Sequence, residues 1–447
     1  MSVTTLAVNR MQRFVAQAHA ADIAIHSLEV SVAGRTVVRA GLAPFGPDRP
    51  HRLYSVAKSF TGLAIVLLAE EGRLALEDPI IDHFPEMAPV HPWLAATRID
   101  DMLAMTGPHS RTTYDADRGG WLESYFRVTP THRPGTLFTY DTSASYVLSA
   151  LVERLTGGRM LGYLRPRLFE PLGIGAGARF LSGPEGISHG GSGLFLAPGD
   201  LLPIAEVLNG RGMRSGSRIL PERVVDRLLE DRSDAGTQTW GAPLKAGYGR
   251  QVWLPAGGGW LMFGLGGQIV FGDPRREIAA VVTADATALA SGDQRLVEML
   301  LAVLSDPLDD DWGPVVLTPP TPPHDAGNAR VLRGTYALIS GEGAPETLRI
   351  DLDAAGGVLV ADAVTLPFST RQQTTLSLTL GAGAASAGWS APGVLDVRVS
   401  AAADDIALLR VRLVATDDGV VTVMSQGSGP ATAPEWTWRG SYSPLPA

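Results

Sequence analysis

The first clear alternation of apolar and polar positions lies at 28–32, and a second short run follows a glycine turn at 36–39. This spacing predicts a β-hairpin, because successive strand side chains point to opposite faces. From Phe60 to Glu71 nearly every position is apolar, and the run stops at Gly72. Such a helix is buried on all sides, so we predict that it lies at the centre of a domain.

The period of the pattern changes near residue 245. Between Asp78 and this point, prolines and glycines separate short segments that predict mainly helices and loops. The strands predicted downstream are 248–254, 259–263, 268–271 and 278–283, followed by an amphipathic helix at 294–304. Early and late strands with helices inserted between them predict an α+β fold, in which an antiparallel sheet is flanked by helices and joined to a mostly helical subdomain.

A proline-rich segment separates this region from the rest of the chain. We therefore predict a first domain at 1–313, a stiff linker at 314–324 and a second domain at 325–447. Short alternating runs separated by Gly, Ala, Asp and Pro predict an all-β barrel or sandwich for the second domain. Because we find no group of catalytic residues in the second domain, we expect it at most to form one wall of the cleft and to contribute little to chemistry.

Composition narrows the classes of function. The net charge of −9, with no basic block, argues against nucleic acid or an anionic membrane as a partner. The absence of cysteine excludes disulfides, thiolate metal sites and a cysteine nucleophile, and the histidines lack metal-ligand spacing, so no cofactor is implied. Residues 1–20 resemble an amphipathic helix, and no run could span a bilayer, which predicts a soluble cytoplasmic protein. The oligomeric state stays open.

Ser55 and Lys58 form the strongest candidate for chemistry. They lie one helical turn apart at the start of the apolar run, so the Lys58 amine can reach the Ser55 hydroxyl on one helical face. Lys58 and Lys245 are the only lysines among 37 basic residues. Unlike arginine, a desolvated lysine can lose its proton and act as a base, so the pair predicts an activated serine nucleophile.

Tyr140 is the second candidate. It lies in a loop that follows Pro134-Gly135 and precedes a helix predicted at 144–155. A phenol beside a lysine ammonium is expected to have a lowered pKa, and it could relay a proton between Ser55 and Lys58.

Ser-x-x-Lys at 55–58, followed by Tyr-Asp-Thr at 140–142, resembles the motifs of the serine β-lactamase and penicillin-binding-protein superfamily. The closer likeness, over about residues 8–305, is to the class C β-lactamase-related branch, which includes esterases, D-amino-acid peptidases and nylon-oligomer hydrolases. The resemblance implies a β-lactamase-like fold, with Ser55 as nucleophile, Lys58 as its base partner and Tyr140 as proton relay.

Two departures bear on the substrate. Thr142 stands where the family usually has asparagine, which weakens any expectation of penicillin turnover. The family strand with Lys-Thr-Gly or His-x-Gly is replaced by residues 260–268, which hold no cation and end in Gly-x-x-Gly-Gln at 264–268, as in the esterase and nylon-oligomer hydrolase branch.

This strand is the candidate source of an oxyanion hole. We expect a backbone N–H near Gly264 or Leu265 to pair with that of Ser55, and Thr142 and Gln268 to contact the substrate. The glycines at 266 and 267 could instead serve close strand packing, an alternative that the sequence leaves open.

A rival motif lies at 186–190, where Gly-Ile-Ser-His-Gly matches the nucleophile elbow of α/β-hydrolases. That elbow requires a preceding strand, an immediately following helix and a later acid and histidine, and the sequence around Ser188 predicts none of these. We therefore expect a serine hydrolase that cleaves a small ester or amide through Ser55. The alternatives are a β-lactamase or D-aminopeptidase, and a penicillin-binding-type receptor or scaffold that acylates without turnover.

Overall fold

The computed structural model describes residues 9–114, 119–175, 177–236, 238, 240–306, 312–362, 364–378, 381–402, 405–430 and 436–446. Its α-helices are α1 (Arg10–Ala20), α2 (Val56–Glu70), α3 (Pro92–Ala95), α4 (Ile99–Leu103), α5 (Trp121–Arg127), α6 (Thr142–Thr156), α7 (Met160–Leu164), α8 (Pro198–Asn209), α9 (Glu222–Leu229) and α10 (Gly292–Ser305). The strands that accompany them are β1 (Ala24–Val32), β2 (Arg35–Gly41), β3 (His51–Arg52), β4 (Arg179–Phe180), β5 (Leu194–Leu196), β6 (Met213–Arg214), β7 (Ser217–Arg218), β8 (Trp260–Gly264), β9 (Gln268–Asp273) and β10 (Ile278–Asp285).

A five-stranded antiparallel sheet in the order β2-β1-β10-β9-β8 forms the framework of this region. The predicted hairpin corresponds to β1 and β2, and three of the four predicted late strands correspond to β8, β9 and β10. The strand predicted at 248–254 is wrong. There the chain turns back on itself, with Gly249 N–H donating to the Val252 carbonyl and Gln251 at a φ of 65°, and makes only isolated bridges.

Helix α2 lies at the centre, as predicted from its apolar pattern. Every side chain from Val56 to Leu68 is buried, and the helix packs against α6, α7 and α9 on one side and against β8 and β9 on the other. It ends where expected, because Gly72 adopts the left-handed conformation with a φ of 69°. A helix surrounded on all sides is rigid, which makes its first turn a fixed platform for side chains.

The C-terminal region forms one antiparallel sheet of ten strands in the order β14-β13-β12-β11-β20-β19-β18-β17-β16-β15. Its strands are β11 (Leu332–Glu342), β12 (Thr347–Asp353), β13 (Gly356–Ala361), β14 (Val364–Ser369), β15 (Thr374–Leu378), β16 (Gly381–Ala391), β17 (Val394–Ala402), β18 (Ile406–Ala415), β19 (Val421–Ser428) and β20 (Trp438–Pro444). The two ends of the sheet, β14 and β15, contact each other, so it curves almost into a barrel. The predicted fold class is therefore confirmed for both regions.

The ten-stranded sheet meets the first region at specific polar contacts. The Arg398 guanidinium donates to the Asp22 carboxylate at 2.8 Å, and the Tyr54 hydroxyl donates to Asp405 at 3.0 Å. In the part of the chain that the structure describes, no helix combines the length and apolar character that a bilayer crossing requires.

Candidate active site

Ser55 is the N-cap residue of α2, and its side chain makes no capping hydrogen bond. The hydroxyl is therefore not used to satisfy the helix end, and it lies at the positive end of the helix dipole. The preceding strand β3 pairs with β5, and Leu53 N–H donates to the Leu194 carbonyl at 2.9 Å. This pairing brings the loop before β5 next to the first turn of α2.

Lys58 contacts Ser55 as the helical spacing predicts. Its Nζ lies 3.1 Å from Ser55 Oγ and donates to the Gly191 carbonyl at 2.7 Å. The side chain is only 1% exposed. Burial lowers the pKa of Lys58 to about 7, although the nearby Asp141 carboxylate acts in the opposite direction. A large fraction of Lys58 is thus neutral near neutral pH, as a base for the serine hydroxyl must be.

Tyr140 lies beside this pair, with its ring centre 4.8 Å from Lys58 Nζ. The ring stacks on Trp253 at 5.5 Å and meets Trp240 edge-on at 4.8 Å. The lowered pKa predicted for this phenol is wrong, because burial raises the pKa of Tyr140 and outweighs the opposing hydrogen bond with Ser55. Tyr140 is therefore a neutral hydroxyl that can donate a proton, and it does not rest as a phenolate.

Asp141 is a buried carboxylate that the sequence analysis did not single out. It caps α6 by accepting from Ser143 N–H at 2.8 Å and also accepts from the Ser143 hydroxyl. Burial raises the pKa of Asp141 to about 6. Its place directly after Tyr140 in the motif was the available signal. Only the fold shows that its field acts on Lys58.

Three of the predicted oxyanion and substrate residues lie at the turn between β8 and β9. Gly264 lies directly against the backbone at 52–55, the segment that we call the nucleophile loop after the predicted role of Ser55, since a Cβ added there would be 2.2 Å from the Leu53 carbonyl oxygen. Leu265 is 45% exposed at the tip of the turn. The start of this turn therefore lies close to the segment that carries Ser55.

Gln268 does not have the predicted substrate contact. Its side chain is completely buried, and its amide donates to the carbonyls of Leu265 at 3.1 Å and Ala284 at 2.9 Å. Gln268 therefore holds the turn in shape. The glycines beside it serve this turn as well, with φ values of 76° at Gly266 and 91° at Gly267.

Thr142 is the first residue of α6 and is half-buried. Its methyl group faces Gly191, where a Cβ would approach it to 2.6 Å. The same loop therefore contacts Thr142 and accepts the Lys58 hydrogen bond. The glycine-rich sequence at 190–193 is the signal for this close approach, because any larger side chain at Gly191 would push the loop away from Thr142.

The rival serine is engaged elsewhere. Ser188 is 4% exposed, and both its hydroxyl and its N–H donate to the Glu153 carboxylate. Glu153 also forms an ion pair with Arg159 at 3.6 Å. A carboxylate engaged in this way fits a structural contact with Ser188 better than a catalytic one. Neighbouring His189 is held neutral, since burial and the charges of Lys58 and Arg52 lower its pKa to about 3.

The pKa of Lys58 leads to a pH prediction. We expect kcat/KM for an aryl ester to rise with pH through about 7, because the base must be deprotonated in the free enzyme. In Asp141→Asn the side-chain oxygen can still cap α6, but the negative charge that raises the pKa of Lys58 is gone. The midpoint of the pH profile of kcat/KM should therefore lie at lower pH in Asp141→Asn than in the wild type. Rate profiles of both enzymes from pH 5 to 9 test this expectation, and an unchanged midpoint would refute the coupling.

Comparisons with known proteins show the family to which the chain belongs. The family model described as Beta-lactamase matches residues 11–304. The chain is 26% identical over 264 residues to 6-aminohexanoate-dimer hydrolase of Paenarthrobacter ureafaciens, covering 54% of this chain and 67% of that protein. It is 23% identical over 271 residues to esterase EstB of Burkholderia gladioli, with coverages of 46% and 67%.

A solved structure extends the likeness of fold to nearly the whole chain. The octameric penicillin-binding protein homologue of Pyrococcus abyssi aligns with a TM-score of 0.51 and 15% identity, over 97% of this chain and 99% of that one. Its coverage includes the ten-stranded sheet. Because the family model spans more than half of the sequence, the chain belongs to the β-lactamase family, and its relatives include amide and ester hydrolases.

Proposed function

We propose that this protein is a serine hydrolase that cleaves a small ester or amide through an acyl-enzyme on Ser55. The observation that carries the proposal is the 3.1 Å contact between Ser55 Oγ and a buried Lys58 whose pKa is lowered to about 7. A nucleophile and a base within hydrogen-bond distance are the minimum that acyl transfer requires.

The reaction follows from these positions. Neutral Lys58 accepts the Ser55 proton while Oγ forms a bond to the substrate carbonyl carbon. The proton then passes through the Tyr140 hydroxyl to the leaving alcohol or amine, the bond to that group breaks, and the acyl group remains on Ser55. Water attacks next and gives a proton to Lys58. Lys58 returns this proton to Ser55 Oγ as the bond between Oγ and the acyl carbon breaks and the acid leaves.

The negative charge that develops on the carbonyl oxygen requires donors. We assign this role to the N–H of Ser55 and to an N–H of the β8–β9 turn, from Gly264 or Leu265. Each such donor contributes about 3 kcal/mol to transition-state stabilisation in serine hydrolases. The close packing of Gly264 on the Leu53 carbonyl supports this assignment, because it keeps the turn against the nucleophile loop.

Among the residues that the structure describes, neither of the two cations that are candidates to hold a β-lactam carboxylate supports that role, which favours esters and simple amides over β-lactams. Arg250, one candidate to hold a β-lactam carboxylate, is buried and bound to Asp100 at 2.6 Å and Glu230 at 2.8 Å. Lys245, the other candidate, is exposed on a short helical turn. The relatives named for ester and amide hydrolysis support the same preference.

Burst kinetics with an aryl ester test the proposal. We expect one equivalent of phenol to be released quickly, followed by steady turnover, because an activated aryl ester should acylate Ser55 faster than water removes the acyl group. A chromogenic cephalosporin should be hydrolysed far more slowly at the same concentration. Efficient cephalosporin turnover would identify a β-lactamase. A burst without steady turnover would identify a penicillin-binding-type receptor, and cleavage of D-aminoacyl amides in preference to esters a D-aminopeptidase.

A further inference from the structure

The ten-stranded sheet reaches the nucleophile loop at the start of β18. The Tyr54 hydroxyl donates to Asp405 at 3.0 Å and accepts from the Ile406 N–H at 2.9 Å. The Arg52 guanidinium forms an ion pair with the same Asp405. Two residues of the loop immediately before Ser55 are therefore bound to one short segment that lies more than 350 positions away in sequence.

Tyr54 needs such support. It directly precedes Ser55 and adopts a φ of 47°, which a residue with a bulky side chain rarely accepts. Strained backbone of this kind persists where the surrounding structure holds it in place. The side chain is 3% exposed, and burial raises the pKa of Tyr54, so its hydroxyl stays protonated and keeps donating to Asp405 across the working pH range.

Arg52 connects the same contact to the lysine side of the site. Its guanidinium lies 4.7 Å from the centre of the Tyr54 ring, and its Nε donates to the Ser192 carbonyl at 3.1 Å. Ser192 follows Gly191, whose carbonyl accepts from Lys58. A displacement of Arg52 would therefore be felt at both members of the Ser55–Lys58 pair.

Ile406 supports the opposite wall of the site. Its Cδ1 lies so close to Gly266 that a Cβ there would approach it to 2.1 Å. Gly266 belongs to the β8–β9 turn, to which we assign an oxyanion donor. One segment of the C-terminal sheet thus packs on the nucleophile loop and on this turn.

We infer that Asp405 and Ile406 are positioning residues for Ser55, so that the C-terminal sheet completes the active site. The inference rests on the proposed serine hydrolase function. It replaces the expectation that the second domain contributes little to chemistry. Neither residue needs to touch the substrate, because Asp405 acts through Tyr54 and Arg52 and Ile406 acts through Tyr54 and Gly266.

Reaction of the full-length enzyme with a fluorophosphonate probe tests the inference. Tyr54→Phe deletes a single oxygen, and we expect it to slow labelling of Ser55 and to lower kcat for an aryl ester by about ten- to a hundredfold, the effect of a small misalignment. KM and the stoichiometry of labelling at saturation should not change. A variant that is only partly folded would instead be labelled at the normal rate but to a lower final stoichiometry.

Asp405 provides the second arm. Asp405→Asn keeps an acceptor for the Tyr54 hydroxyl and should retain most of the labelling rate, whereas Asp405→Ala should lose as much as Tyr54→Phe. The effects of Tyr54→Phe and Asp405→Ala should add up to less than their sum in the double variant, since each single variant already removes the bond between Tyr54 and Asp405. Asp417→Asn is the control, because it breaks an exposed ion pair with Arg330 in the same C-terminal region.

The possible outcomes separate the two proposals. A wild-type enzyme that is not labelled at Ser55 would overturn the serine hydrolase function, and with it the positioning role. If the wild-type enzyme is labelled at Ser55 and the Tyr54→Phe and Asp405→Ala variants react as fast as the wild type, the positioning role alone is overturned. If Asp405→Ala does not fold, the rate and stoichiometry of Tyr54→Phe decide the question.

Discussion

Ser55→Ala is expected to lower kcat for an aryl ester by about a millionfold, as removal of the nucleophile does in other serine hydrolases. The hydroxyl is the atom that bonds to the acyl carbon, so neither Lys58 nor Tyr140 can compensate for its loss. The variant should keep its melting temperature, because the Ser55 side chain makes no capping bond with α2. Steady-state rates and thermal unfolding of the purified variant provide the measurement.

Ser188→Ala is the matched comparison, since it also removes a single serine hydroxyl from the same domain. It deletes the contact with Glu153 and should therefore lower stability by about 1 kcal/mol while leaving kcat close to that of the wild type. Peptide mapping after fluorophosphonate labelling should find the adduct on Ser55. If the adduct lies on Ser188, or if Ser55→Ala retains turnover, the proposed mechanism is wrong.

Features encoded by neighbouring residues could be predicted from the sequence. The contact between Ser55 and Lys58 follows from helical spacing alone, and the burial of α2 follows from its uniformly apolar pattern. The prediction of a strand at 248–254 is wrong because it relied on the same kind of local pattern. Its apolar residues are buried, but Gln251 at positive φ reverses the chain, and no periodicity of side chains reports that reversal.

Features created by tertiary packing could not be predicted. The sequence places Tyr140 near a lysine, but only the fold shows that burial dominates and raises its pKa. Gln268 was likewise predicted to contact the substrate because it ends the motif at 264–268. Its complete burial beside the β8–β9 turn indicates a structural role instead. The bond between Tyr54 and Asp405 joins residues 351 positions apart, a separation that no local motif can indicate.

Lys58→Arg is expected to lower kcat/KM by about a hundred- to ten-thousandfold, the usual value of a general base. Arginine preserves the positive charge but does not release its proton in the accessible pH range, so the base is lost while the charge remains. Lys58→Met removes the charge as well and fits a cavity of similar length. Both variants should therefore be inactive if deprotonation of Lys58 is what matters.

Lys245→Arg controls for a general intolerance of the exchange, because Lys245 is the only other lysine and is exposed. Its turnover of the same aryl ester should match that of the wild type. Melting temperatures of all three variants are needed, since Lys58 is 1% exposed and the larger guanidinium could disturb its surroundings. A folded Lys58→Arg enzyme that remains as active as Lys245→Arg would show that Lys58 acts only as a fixed positive charge. In that case the proton of Ser55 would have to pass to another group, and the lowered pKa of Lys58 would have no part in the reaction.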